Sequence, residues 1–153
     1  MSADLANLAK KALIGDLEGL AKAVRELASP LDDKEFWAKP LEPGNSIGHL
    51  VLHLTGNLGH FVGAQLGGTG YIRDREREFT EANPPSKDAA LDRLDGAVAV
   101  FRRVVEGLDA KRLAEPHPEA RFGTVLETLV HLVAHFALHR GQMSYLVRLV
   151  QKR

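Results

Sequence analysis

The stretch LVHLVAHFALHRGQM, from Leu129 to Met143, sets His131, His135 and His139 at four-residue intervals among apolar residues. Residues four apart lie nearly above one another on a helix. Two imidazoles so placed can meet on one cation at about 2.0–2.1 Å from each nitrogen. All three cannot, because His131 to His139 spans about 12 Å of axis at ~1.5 Å per residue. One adjacent pair is therefore a candidate chelate, and the spacing alone leaves open which. A zinc-class catalytic site normally takes three protein ligands and keeps a further position open, so a third ligand has to come from elsewhere.

An earlier stretch offers it. His49, His53, Gly56, His60, Gly63 and Gly67 recur at spacings of three and four, a polar or small stripe on a segment that also carries Ile47, Leu50, Val51, Leu54, Leu58 and Val62. Each interior glycine costs roughly 1 kcal/mol relative to alanine in helix propensity. Several on one face imply compensation by close packing, a pocket or a subunit contact. Other metal motifs are missing: there is no HExxH and no paired ExxH. A site of two histidines and one carboxylate is disfavoured, since neither His-bearing segment offers an inward Asp or Glu and Glu127 lies two turns before His135.

Four long segments with helical periodicity must position these residues. The first runs from about Asp4 to Leu27, with Leu5, Leu8, Ala12, Leu13, Leu17, Leu20, Val24 and Leu27 at spacings of three and four. Pro30, Pro40, Pro43 and Gly44 separate it from the second, which Asn45 or Ser46 can cap. The third spans about Ser86 to Leu108, with Leu91, Leu94, Val98, Phe101 and Val105 on one face. The fourth starts at a capping box, Thr124 with Glu127, and continues to about Val150. Sustained strand-like alternation and internal repeats are absent from the sequence, so the expected fold is an all-α four-helix bundle, one domain over residues 1–153. The connection from Gly68 to Pro85 is long for a helical hairpin and reads as a crossover.

Composition narrows the chemistry. Twenty basic residues balance twenty acidic ones, which disfavours nucleic acid and anionic membranes as partners. No run is apolar enough to span a bilayer, and the charged start does not resemble a signal peptide, so a cytoplasmic location is expected. With no cysteine, chemistry must use His, carboxylates, hydroxyls or a cofactor. The charged run RDRERE, Arg73 to Glu78, is expected to stay solvated, and His117, between Pro116 and Pro118, to be an exposed loop residue. Phe36 and Trp37 are expected as core anchors, and Arg140 in helix packing or a surface ion pair.

HFALHRGQ, preceded by HLVA, resembles the last-helix signature of the DinB/YfiT-like metalloenzyme superfamily, in which HxxxHRGQ closes a four-helix bundle. NSIGHLVLHLTGN is similar to that family's second-helix signature. The resemblance implies His53, His135 and His139 as ligands of a divalent metal such as zinc or nickel, an up-down-down-up bundle, and a homodimer joined through the glycine stripe or the fourth helix. His49 and His131, each one turn before an implied ligand, then become pocket or structural neighbours; Asn57 and Gln142 become groups that bond a ligand imidazole or a substrate. Relatives include S-transferases that use low-molecular-weight thiols. Three neutral imidazoles leave a divalent ion's charge uncompensated and favour an anionic guest, either hydroxide for hydrolysis or thiolate for transfer on a small molecule. The competing expectation is a non-catalytic, stress-related dimeric binding bundle whose histidines are structural or vestigial.

Overall fold

A computed structural model describes residues 1–152, and among these every regular element is helical. The four long helical segments are α1 (Ala3–Ala28), α3 (Ile47–Leu58) continued by a π-helix (Gly59–Ala64), α5 (Lys87–Glu106) and α7 (Val125–Gln151). Short helices α2 (Asp33–Trp37), α4 (Arg77–Thr80) and α6 (Ala110–Ala114) occupy stretches that read as loops in the sequence. Ser2, Ser46, Ser86 and Thr124 cap the long helices by accepting a backbone N–H, and Thr124 with Glu127 forms the expected capping box.

Side-chain contacts fix the direction of each helix. Lys10 near the start of α1 donates to the carbonyls of Glu106 and Leu108 beyond the end of α5, while Lys87 at the start of α5 donates to Ser29 and Leu31. α1 and α5 are thus antiparallel. Gly63 and Gly67 lie against Val100 and Val104, and Trp37, beside the start of α3, bonds Pro85 just before α5, so α3 and α5 run parallel. Phe61 meets Phe122 at one end while His53 meets His139 further along, which makes α7 antiparallel to α3. The topology is up-down-down-up. A parallel pair cannot be joined by a tight turn, so the chain from Gly68 to Pro85 must travel back along the bundle.

Phe36, Leu17, Ile47, Leu54, Leu94, Phe101, Leu129 and Phe136 are fully buried among the helices. On α1 the buried row is Ala6, Ile14, Leu17, Ala21, Val24 and Ala28, while Leu5 and Leu8 are 55% and 65% exposed. Apolar residues flank that row on both sides, and spacing alone does not say which of two neighbouring rows faces inward. On α7, Val130 is likewise apolar yet 53% exposed.

The glycine stripe serves the crossover rather than a partner subunit. A Cβ at Gly56 would lie 2.6 Å from a Glu78 carboxylate oxygen, and one at Gly59 3.1 Å from the Tyr71 ring. A Cβ at Gly48 would collide with the Trp37 indole. The expectation that this stripe could join two subunits is accordingly replaced: chain segments of the same molecule cover it.

Gly48→Ala is expected to lower the melting temperature. Displacing the rigid indole costs about 1–3 kcal/mol, more than the gain of up to about 1 kcal/mol in helix propensity. Gly96→Ala, exposed on α5 with nothing within 4 Å of the added Cβ, is expected to raise it. Thermal unfolding of the two variants checks the pair.

Candidate metal centre

α3 and α7 cross so that three imidazoles face one point. His53 Nε2 lies 3.1 Å from His135 Nε2, which lies 3.0 Å from His139 Nε2. The ring centroids of His53 and His139 are 4.9 Å apart. Two nitrogens sharing one tetrahedral ion at about 2.0–2.1 Å stand roughly 3.3 Å apart, so the spacing suits a small divalent cation.

The remaining ring nitrogens explain why the lone pairs point inward. His53 Nδ1–H donates to Glu78 Oε1 at 3.2 Å, and His139 Nδ1–H donates to Gln142 Oε1 at 2.7 Å. Each bond places the proton on Nδ1 and leaves Nε2 an acceptor, the form a metal ligand requires. His135 Nδ1 is buried without a partner among the described residues, and its Nε2 lies within 3.1 Å of both acceptor nitrogens, so the three ring nitrogens converge where one cation could sit. The donor set therefore fits a divalent metal ion.

Glu78 was expected in a solvated run, and the structure corrects this: its side chain is 7% exposed. The crossover carries it onto α3, where Gly56 leaves room for the carboxylate one turn beyond His53. Arg73 grips it through Nε to Oε2 at 2.9 Å and Nη2 to Oε1 at 2.7 Å, an almost buried fork. Burial alone would push the Glu78 carboxyl up; the bonds from His53 and Arg73, with the charge of Arg73, outweigh it and hold the group below the usual carboxylate range. The missing inward carboxylate thus exists, but on the outer nitrogen of His53 rather than on the metal face. Its one sequence signal is Gly56.

A family sequence profile described as the DinB superfamily matches residues 16–143. The chain belongs to the DinB superfamily. A conserved protein from Enterococcus faecalis, known from a crystal structure, shares the DinB-like fold with a TM-score of 0.77 at 16% identity, over 94% of this chain and 98% of that one. No curated protein matches the sequence.

The other histidines of this DinB-superfamily chain divide clearly. His131 is exposed and stacks on His135 with centroids 6.3 Å apart, lining the cavity outside the three-nitrogen cluster. His49 is buried away from the cavity, bonded through Nδ1 to Ser46 Oγ and packed edge-on against Trp37. His117 is 3% exposed, which overturns the expectation of an exposed loop residue. Gln65 N–H reaches back to His60 and Leu66 N–H to Val62, so the π-helix passes over the Phe61 carbonyl. His117 Nε2–H donates to that carbonyl at 3.0 Å, while its Nδ1 accepts from Glu119 N–H. The cost of burying His117 is offset by the backbone group it satisfies. Trp37 donates to the Pro85 carbonyl at 3.0 Å and Phe36 is fully buried, both as anchors; Arg140 is exposed, and no ion pair joins it to a described residue.

A cavity of about 390 Å³ opens over the cluster, lined among others by Asn57, Arg73, Arg75, Arg121, Phe122 and Gln142. Burial, reinforced by His139 and His53, lowers the His135 pKa to about 4. Burial also lowers His139, against the bond to Gln142. Both rings are therefore neutral at pH 7. Between the unfolded value near 6.5 and about 4, the unfolded chain binds the proton that folded His135 refuses. Stability of the metal-free protein is thus fully present above pH 6.5 and falls as the pH drops toward 4. Urea unfolding of chelator-treated protein is expected to show a lower midpoint at pH 5 than at pH 7.5, with a smaller difference in His135→Asn; a midpoint independent of pH would contradict the burial of this ring.

Proposed function

We propose that this DinB-superfamily chain is a metal-dependent enzyme acting on a small molecule, with one divalent ion held by the Nε2 atoms of His53, His135 and His139. The observation that carries the reading is the convergence of three Nε2 atoms, 3.1 Å and 3.0 Å apart along the chain of contacts, with the tautomers of His53 and His139 set from behind by Glu78 and Gln142. Zinc and nickel both suit nitrogen ligands. S-transfer from a low-molecular-weight thiol is the preferred reaction, as the family resemblance implies, with hydrolysis second.

A divalent ion bound there would lower the pKa of a thiol or water and so supply a nucleophile at neutral pH. The chain's own residues perform the rest. Glu78 orients His53 and takes up part of the positive charge shared by its ring, while Arg73 keeps that carboxylate ionised. Phe79 packs on the His53 ring at 4.9 Å and screens it from water. Gln142 fixes His139 in the same way that Glu78 fixes His53, without adding charge.

The same reading includes a homodimer. With the glycine stripe covered, α7 and the start of α1 offer an apolar surface for it: Leu8, Val130, Leu138 and Tyr145 are 65%, 53%, 58% and 70% exposed, while Ile72 and Leu41, also exposed, lie on connecting segments. Val130, Leu138 and Tyr145 fall within about 80° of one another around α7, on the face beside His131. Light scattering is expected to give a dimer for the wild type and a monomer for Val130→Glu with Leu138→Glu; a monomeric wild type would overturn this part.

Elemental analysis of purified protein is expected to find one divalent ion per chain. That ion is expected to be lost in His53→Ala and in the combined His135→Ala and His139→Ala variant. Stoichiometric metal that persists in these variants would refute the ligand assignment. Wild-type protein that binds no divalent ion when offered one would favour a non-catalytic binding bundle.

A further inference from the structure

The cavity over the three histidines is lined by three arginines and no carboxylate, in a chain whose basic and acidic residues otherwise balance. The arginines are not equivalent. Arg73 is spent on Glu78, with both side chains almost buried. Arg75 forms no ion pair with a described residue, and its guanidinium sits 5.6 Å above the Phe79 ring. Arg121 lies 4.7 Å above Phe122 and 5.6 Å above Phe61, with Glu119 at 3.4 Å as its only carboxylate within ion-pair distance among the described residues. A guanidinium resting on an aromatic face is held in place while its N–H edge stays free to donate.

Deeper in the same cavity, Asn57 follows His53 by one turn and is 7% exposed. Its side chain makes no hydrogen bond to a described residue, and its amide opens onto the cavity. Gln142, by contrast, is committed to His139. An amide and two guanidinium groups with donors to spare, around a site already short of negative charge, form a complement to an oxyanion.

We propose, on the reading that His53, His135 and His139 hold a metal ion, that this cavity selects substrates bearing a carboxylate or phosphate group, which Arg75 and Arg121 clamp at the mouth while Asn57 donates from below. Arg75 and Arg121 are specificity-determining residues, and the crossover and the loop before α7 contribute one each. The volume of about 390 Å³ limits the guest to a small organic anion or the anionic end of a larger one.

Thiol ligands provide a test that requires no turnover. Protein loaded with cobalt(II) is titrated with 3-mercaptopropionate, 2-mercaptoethyl phosphate and neutral 3-mercapto-1-propanol, and binding is read from the sulfur-to-cobalt charge-transfer absorption. The two acids are expected to bind at least about 10-fold more tightly than the neutral thiol, the scale of one charge-assisted hydrogen bond; whichever acid binds more tightly distinguishes carboxylate from phosphate as the preferred group. The combined Arg75→Gln and Arg121→Gln variant is expected to lose that preference and keep its affinity for the neutral thiol. Arg140→Gln, which removes one positive charge from the exposed surface of α7, is expected to keep the preference. Equal affinities in the wild type, or a preference that survives the double substitution, would overturn the inference while leaving the metal reading intact. Failure to take up cobalt would overturn the metal reading and this inference with it.

Discussion

α3 and α5 lie side by side and point the same way, so the chain between them has to return the length of the bundle before α5 can begin. That return is the crossover, and it runs over the face of α3 where Gly56, Gly59 and Gly63 leave the helix thin. Because it is anchored there, it delivers Glu78 to the outer nitrogen of His53 and Arg73 to Glu78. The topology and the metal-site electrostatics are thus one constraint. A bundle with antiparallel neighbours and tight turns could hold three histidines, but it would have no segment crossing behind His53 to orient it.

The charge arrangement follows from the same geometry. Three imidazoles form the inner layer, of which His135 and His139 are kept neutral chiefly by burial. One carboxylate stands behind them, itself neutralised by Arg73, so little negative charge reaches the cavity. The lining toward solvent is cationic. An environment of this kind raises the effective positive charge of any bound ion and draws an anionic guest toward it.

Much of this was legible in the residues. The periodicity of all four long helices, the capping box at Thr124 and the crossover after Gly67 follow from spacing and turn chemistry, and the HRGQ stretch points to the family. Spacing also showed that His131 and His139 cannot share one ion. Glu78 was illegible because nothing in RDRERE separates a buried carboxylate from its solvated neighbours; only the path of the backbone does. His117 was misread for a related reason. Its burial depends on the π-helix that continues α3, which frees the Phe61 carbonyl more than fifty residues away, and no local pattern announces such a vacancy. The glycines of α3 were visible as an anomaly, but which segment covers them is a property of the assembled fold.

On the proposed reading, a carboxylate brought in by the crossover prepares His53 to hold a metal ion. Zinc affinity of wild type and Glu78→Gln, measured by competition with a chromophoric chelator at pH 7.5, tests it most directly. Loss of the charged partner behind a ligand imidazole is expected to weaken binding by about 10–100-fold while the stoichiometry stays at one ion per chain. Equal affinities in the two proteins would contradict the account.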